Sequence, residues 1–362
     1  MTPNTTYKNT EIGTIPVDWE VKMIKDVAPL QRGFDLPNRD LQKGLYPVVY
    51  SNGVANYHFR FQAKAPGIIT GRSGTIGKVT FIEENYWPHN TALWVTDFKN
   101  NYPKYIYYLF LRIKLERFAS GSGVPTLNRN DVHDFKVSIP TLTEQTAIAN
   151  ALSDADALIN NVEKLITKKR NIKQGAMQKL LQPKEGWEVK TIKAFASIST
   201  GAKNAQDKIE EGEYPFFVRS QTIERINSYS FEGEAVLVAG DGVGTGKVMH
   251  YYNGKFDFHQ RVYKISDFNE DVNGLYFFLY FKNNFYNRMM QLTAKSSVDS
   301  IRREMISEMP ISFPPLKTQI EIAQILSDMD LEIAGLEGKL SKYRAIKTGM
   351  MQNLLTGKIR LV

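Results

Sequence analysis

Two stretches decide the reading. Residues 141–181 run TLTEQTAIANALSDADALINNVEKLITKKRNIKQGAMQKLL, and residues 315–355 run PLKTQIEIAQILSDMDLEIAGLEGKLSKYRAIKTGMMQNLL. They align without a gap at an offset of 174, with 19 identities in 41 pairs. Apolar or small residues fall at 148, 152, 155, 159, 162 and 166, in alternating steps of four and three. The second stretch copies them with Ile322, Leu326, Met329, Ile333, Leu336 and Leu340. That spacing is a coiled-coil seam, here carried by Ile148, Leu152, Ile159, Val162 and Ile166 in the first stretch. Each stretch is expected to be one helix of about 40 residues, a rod of roughly 60 Å. Pro140 and Pro314-Pro315 stop the chain before them, with Thr141 or Thr143, and Thr318, as N-caps. A single stripe of this kind reads as plain core. Two closely similar copies, each closing a domain-sized block, read as a paired device.

The rest of the chain is also written twice. Trp19-Glu20-Val21-Lys22 returns as Trp187-Glu188-Val189-Lys190, and Tyr46-Pro47 as Tyr214-Pro215, both 168 positions later. The glycine loop ending Gly77-Lys78-Val79 returns as Gly246-Lys247-Val248 at 169, and His89 as His259 at 170. The drifting offset places loops of unequal length in the blocks, which match each other far less than the helices do. Each block reads as α+β. Ile68-Ile69 and Val79–Ile82 flank the glycine turn as a hairpin, as do Val236–Ala239 and Val248–Tyr252. Tyr105–Phe118 and Tyr276–Gln291 read as amphipathic helices, Phe135–Ile139 and Ile311–Phe313 as strands feeding the long helices. The expected fold is two pseudo-symmetric α+β domains separated by two long antiparallel coiled-coil helices. The divisions fall at 1–140, 141–182, 183–314 and 315–362.

Composition narrows the function. With 42% apolar and 23% charged residues, the chain of 362 residues can bury a core. It has no cysteine, which excludes disulfides, thiolate zinc sites and cysteine nucleophiles, and a reducing cytoplasm fits. The first residues lack a signal-peptide apolar run, and no stretch approaches the roughly 18 apolar residues of a membrane span. A net charge of +8 leans towards a polyanionic partner.

At this point the residues resemble a known family. Ile139–Asp156 and Phe313–Asp330 share the form strand, Pro, x, Leu, x, x, Gln, x, x, Ile, Ala, x, x, Leu, Ser, Asp, x, Asp. With Ile15-Pro16-Val17-Asp18-Trp19 at the start and Leu354-Leu355-Thr356-Gly357-Lys358-Ile359-Arg360-Leu361 at the end, the chain resembles type I restriction-modification DNA-specificity subunits. The resemblance implies two target-recognition domains, each reading one half of a bipartite, asymmetric site in double-stranded DNA. The helices would set the gap and dock two adenine-methyltransferase subunits, and through them two ATP-dependent restriction subunits. S-adenosylmethionine, ATP and magnesium would then belong to those partners, with no cofactor and no catalytic residue in this chain. A duplicated reader suits two half-sites. Methylating a duplex adenine needs a flipped base beside a cofactor pocket, which this sequence does not encode.

Single motifs are weighed in that light. Gly240-Asp241-Gly242-Val243-Gly244-Thr245-Gly246-Lys247 fails as a phosphate loop, because Asp241 stands where glycine is needed and Val248 where Ser or Thr is needed. It is either a tight hairpin turn or a turn whose backbone, with Arg72, Ser73, Lys78 or Lys247, approaches phosphate. The methyltransferase signature is missing, since the only Pro-Pro is Phe313-Pro314-Pro315-Leu316. Five histidines without clustered carboxylates make no metal site. His89 and His259 are open between structural hydrogen bonding and base-edge contact, with Asn90 and Gln260 suited to adenine and Arg261 to guanine. Val124–Arg129 and Val298–Arg303 correspond, and Arg129, Arg302 and Arg303 are candidate phosphate ligands. Arg219, Ser220 and Gln221 join the candidates by residue type. Lys168-Lys169-Arg170 is either a solvated face or a contact with DNA or a subunit. Gly175 and Gly349 each cost a helix about 1 kcal/mol, so they mark either a close helix approach or tolerance near an end. Three other readings compete: a methyltransferase-only system, a self-contained enzyme, and a coiled-coil adaptor without DNA contact.

Overall fold

The computed structural model describes residues 6–121, 125–242, 244–293 and 300–361. Val124, Val243, Val298 and Asp299, which belong to the stretches compared above, lie outside them. The chain divides into two compact units, Met1–Lys164 with Gly338–Val362, and Leu165–Glu337. Among the described residues no helix is long and apolar enough to cross a membrane.

The first unit holds an antiparallel sheet in the order Leu30–Arg32, Ala92–Val95, Gly67–Gly71, Val79–Ile82. A second sheet has the order Gly53–His58, Tyr46–Tyr50, Trp87–Pro88, with the last pair parallel. The second unit merges the equivalent strands into six: Ser197–Thr200, Val262–Ser266, Phe231–Ala239, Met249–Phe258, Tyr214–Phe217, Glu224–Ile226. The merger has a local cause. Met249–Phe258 runs unbroken, whereas its counterparts Val79–Ile82 and Trp87–Pro88 are two strands. An aromatic helix packs on each sheet. It spans Pro103–Ile113 in the first unit, shorter than the pattern suggested because Lys114 adopts φ 58° and a 3-10 turn follows. In the second it spans Gly274–Thr293. Trp19, Tyr105 and Phe110 are fully buried in one core, and Phe195, Phe277 and Phe281 in the other. Each such side chain contributes roughly 1.5–3 kcal/mol by leaving water.

The repeated Trp-Glu-Val-Lys segment closes each unit. Glu20–Met23 pairs antiparallel with Lys136–Ile139, and Glu188–Thr191 with Pro310–Phe313, the strands that feed the long helices. Those helices run Leu142–Leu180 and Leu316–Leu354. The Thr141 hydroxyl accepts from Glu144 N–H at 3.4 Å and acts as a weak cap. Thr318 lies inside the first turn of its helix instead, because Pro315 takes the preceding position and its carbonyl accepts from Gln319 N–H at 3.1 Å.

A buried glutamine anchors each helix. Gln145 Nε2 donates to Asn101 Oδ1 (2.9 Å) and Pro140 O (3.0 Å), while its Oε1 accepts from Tyr102 N–H at 2.9 Å. Gln319 does the same with Asp271 O, Pro314 O and Asn273 N–H at 3.0, 2.9 and 2.9 Å. Along the seam Ile148, Leu152, Ile159, Val162, Ile166, Ile322, Leu326 and Ile333 are buried, whereas Leu336 and Leu340 are half-buried. Ile148 and Leu152 share a core with Leu354, the last residue of the other helix, and Leu355 just after it.

The helices run antiparallel within each unit. In the first, Lys347 donates to Asp156 at 2.5 Å and Arg344 to Glu163 at 2.6 Å. In the second, Lys173 pairs with Asp330, Arg170 with Glu337 (2.5 Å) and Lys169 with Glu332 (2.7 Å). Lys169 and Arg170, read as a charge run, are thus bound to the partner helix. Gly175 and Gly349 permit no close approach: a Cβ at either would meet nothing within 4 Å. They are tolerated glycines near helix ends.

The first unit also holds the last residues of the chain. Arg360 donates to Glu144 at 2.6 and 2.8 Å and to Asp18 at 3.0 and 2.6 Å, and Trp19 Nε1 donates to Glu144 at 2.8 Å. Glu144 is fully buried. Tyr7 hydroxyl donates to Gly357 O at 3.2 Å. In the second copy Thr318 stands in place of Glu144, so this cluster has no duplicate.

Candidate nucleic-acid interface

The sequence candidates of the first unit gather around a few backbone hydrogen bonds. Arg72 and Ser73 N–H both donate to Thr91 O, at 2.9 and 3.2 Å. Leu127 N–H donates to Arg72 O at 2.8 Å, which brings the Leu127–Arg129 segment alongside. Arg72 Nη1 reaches Asn90 O at 3.4 Å, and Asn90 donates its amide to Asp35. Ser51 N–H donates to Thr91 Oγ1 at 3.3 Å, and Lys78 caps the Asn52 carbonyl of the same hairpin turn. Arg129 is exposed at the start of the short helix Arg129–His133. Arg72, Ser73, Lys78, His89 and Asn90 therefore form one loop cluster, with Arg129 beside it.

The second unit repeats the frame with other side chains. Gly240 N–H donates to Arg261 O at 2.9 Å, and Ile301 N–H to Gly240 O at 2.7 Å. Arg219 and Arg261 converge on Asp241. Gln260 Nε2 donates to Asn204 Oδ1 at 2.6 Å. Ser220 hydroxyl donates to Thr222 O at 2.9 Å, and Gln221 is exposed next to it. Arg303 Nη2 is tied to Ile198 O at 2.6 Å, whereas Arg302 is exposed. Lys247 lies farther along the turn, its ammonium 4.6 Å from the Tyr286 ring centre. A cavity of about 320 Å³ opens here, lined by Thr200, Asp241, Gln260, Arg261, Tyr263 and Ser300 among others.

The two histidines shape the turns. His89 N–H donates to Val49 O and His259 N–H to Phe217 O, each at 2.9 Å. Each Nδ1 accepts a backbone N–H two residues on, from Thr91 at 3.4 Å and Arg261 at 3.0 Å. That geometry assigns the proton to Nε2. Burial pushes both imidazoles below the usual histidine range, so they are neutral at neutral pH. His259 is buried and His89 half-buried, with the Tyr50 ring 4.2 Å away.

Sequence reasoning missed Asp241 as an organiser, and Asp35, Asn52 and Asn204 as partners. One signal existed: three charged residues, Arg219, Asp241 and Arg261, stand where the first copy has the uncharged Ser51, Ser73 and Thr91. Among the described residues no group of three or more His, Cys, Asp or Glu is placed to hold a metal ion.

Two similar units, each with cationic and amide side chains on loops at one sheet edge and a long helix at its close, define a bipartite recognition protein. The chain belongs to the type I restriction-modification DNA-specificity family. The family model described as "Type I restriction modification DNA specificity domain" matches it twice, over residues 16–173 and 184–342. It is 24% identical to the putative type I restriction enzyme MjaX specificity subunit of Methanocaldococcus jannaschii, across 98% of this chain and 97% of that protein. It is 28% identical to the EcoDI specificity subunit of Escherichia coli, across 47% of this chain and 37% of that protein. Its fold is similar to the crystal structure of a type I restriction-modification S subunit from M. genitalium, with TM-score 0.70, 17% identity and coverage of 98% and 99% of the two chains.

Proposed function

We propose that this chain is the non-catalytic DNA-reading subunit of a type I complex, with each unit contacting one half of a split target in double-stranded DNA. The observation that carries this reading is the duplicated loop frame. The same backbone hydrogen bonds, made by Arg72 in one unit and Gly240 in the other, present Ser73, Asn90 and Thr91 in the first and Asp241, Gln260 and Arg261 in the second. One frame with different side chains is what two different half-sites require. The loops supply hydrogen-bond donors and acceptors for base edges, and the exposed Arg129 and Arg302 supply charge for phosphates. The long helices set the gap and dock two adenine-methyltransferase subunits, which bring S-adenosylmethionine. Two restriction subunits with ATP and magnesium join through them, in the cytoplasm where the DNA is.

The test is co-expression with the methyltransferase subunit in cells that lack adenine methylation, followed by sequencing of methylated adenines. A split, asymmetric motif with one methylated adenine in each half is expected, and none with either subunit alone. Methyl transfer by the purified chain alone, or a continuous motif, would overturn the reading.

A further inference from the structure

In the second unit one carboxylate holds two guanidinium groups. Asp241 Oδ1 accepts from Arg219 Nη1 at 2.9 Å, and Oδ2 from Arg261 Nη1 at 2.8 Å. The three residues come from separate segments, after Tyr214–Phe217, after Phe231–Ala239 and before Val262–Ser266. The backbone fixes them together through the Gly240–Arg261 and Gly240–Ile301 hydrogen bonds. Glycine is needed there, since a Cβ at Gly240 would fall 2.9 Å from the Tyr263 ring and 3.1 Å from Arg261 O.

The exposure pattern separates the roles. The Asp241 side chain is only 18% exposed, and both its oxygens are engaged. Arg219 and Arg261 are 43% and 60% exposed. Each spends Nη1 on Asp241, which leaves the Nε and Nη2 donors for a ligand. Burial raises the Asp241 carboxyl and the two guanidinium bonds outweigh it, so it is held below the usual carboxylate range and stays ionised. Two cations against one anion leave a positive, donor-rich surface, with Arg261 and Asp241 on the wall of the cavity.

The first unit has no such cluster. Ser73 stands at the place of Asp241, bridged to Thr126 as Asp241 is to Ser300, and Ser51 and Thr91 stand at the places of Arg219 and Arg261. A clamp for phosphate would serve both units alike, because every half-site presents the same backbone. A cluster confined to one copy answers to what differs between half-sites, the bases. The paired acceptors N7 and O6 on guanine's major-groove edge fit a guanidinium fork.

We propose that Arg219 and Arg261 read guanine in the half-site contacted by the second unit, with Asp241 as the positioning residue that aims them. This rests on the DNA-reading function proposed above. The test uses the complex with its methyltransferase subunits and sequencing of methylated adenines. Arg219→Ala and Arg261→Ala should each relax one G·C position in the same half-site, with preference falling roughly 5- to 150-fold, the span of one bidentate contact. Arg261→Lys should relax its position too, since an ammonium keeps charge but lacks the fork. Asp241→Asn should blur both positions while the other half-site stays sharp, a change of specificity that mere destabilisation would not produce. Where a variant abolishes methylation, competition gel shifts with oligonucleotides altered at each G·C pair read the same preference. A uniform loss across sequences with rescue by lysine would mark a phosphate clamp and overturn the inference. So would an affected half-site without a G·C pair. A wild-type complex that methylates no split site would instead sink the underlying function.

Discussion

Lys347 binds Asp156 across the two long helices of the first unit, and their counterparts Lys173 and Asp330, each 174 positions away, bind each other in the second. Arg344 with Glu163 and Arg170 with Glu337 repeat the exchange. One pairing rule is therefore written twice with the helices swapped. These pairs, exposed or only partly buried, contribute about 0.2–1 kcal/mol each, so their main effect is to fix register.

Register can be kept while length changes. The ion pairs of the first unit use Asp156, Glu163, Arg344 and Lys347, and those of the second lie within 169–173 and 330–337. One heptad inserted after Leu165 and another after Lys339 leave every pair intact. The helices lengthen by about 10 Å, and the gap in the methylated motif should grow by roughly three base pairs at about 3.4 Å each. Inserting two residues instead turns the seam by roughly 200° and should abolish methylation. An active heptad variant with an unchanged gap would show that the helices do not measure DNA.

Arg360→Ala leaves Glu144 buried with Trp19 Nε1 and no cation. The first unit should lose about 3 kcal/mol or more, seen as an earlier urea transition for that unit alone. Adding Glu144→Gln should restore part of the loss. Equal destabilisation of both units would contradict a local role.

Acid should weaken the same cluster. The hydrogen bond from Arg360 holds the Asp18 carboxyl below its ordinary value of 3.8. The folded state therefore binds the proton less readily than the unfolded one. The resulting stability is present above that value and is lost as pH falls through the lower, folded one. Asp18 is 43% exposed, so the effect is modest. Urea titrations between pH 5 and 2.5 should show a smaller acid-side decline for Asp18→Asn than for the wild type.

Gly175→Ala and Gly349→Ala fill open space. Each should stabilise its unit by about 0.5–1 kcal/mol and leave the methylated motif unchanged. A lower melting temperature would mean that the helices approach more closely than 4 Å there.

Exchange of the first block for that of a related subunit should change one half of the motif only. The natural boundaries are 20 and 139, because Glu20–Met23 must pair with Lys136–Ile139 and both strands are best moved together. Change in both halves would deny that the units read independently.

The long helices were legible because a seam such as Ile148, Leu152, Ile159 repeats at a fixed period, and its second copy excluded coincidence. The buried glutamines were visible only as matched letters; that Gln145 ties its helix to Asn101 and Tyr102 depends on a loop some 44 residues away in sequence. Thr318 misled because the strand ends at Phe313 and Pro315 already stands just before the first helical residue, Leu316. The loop candidates were found by residue type, but Asp241 was not, since its role arises from two arginines that are distant in the chain. The histidine ambiguity was real in the sequence: only geometry shows Nδ1 turned to the backbone at both His89 and His259.

The swapped ion pairs have a genetic consequence. Because each helix carries both an Asp and a Lys that answer the Lys and Asp of the other, the two DNA segments encoding residues 141–181 and 315–355 specify the same cross-helix pairing. A crossover between them, or with the same segment of a sister gene, delivers a new globular block onto helices that still recognise each other. New target combinations can arise by recombination, with the cross-helix ion pairs kept.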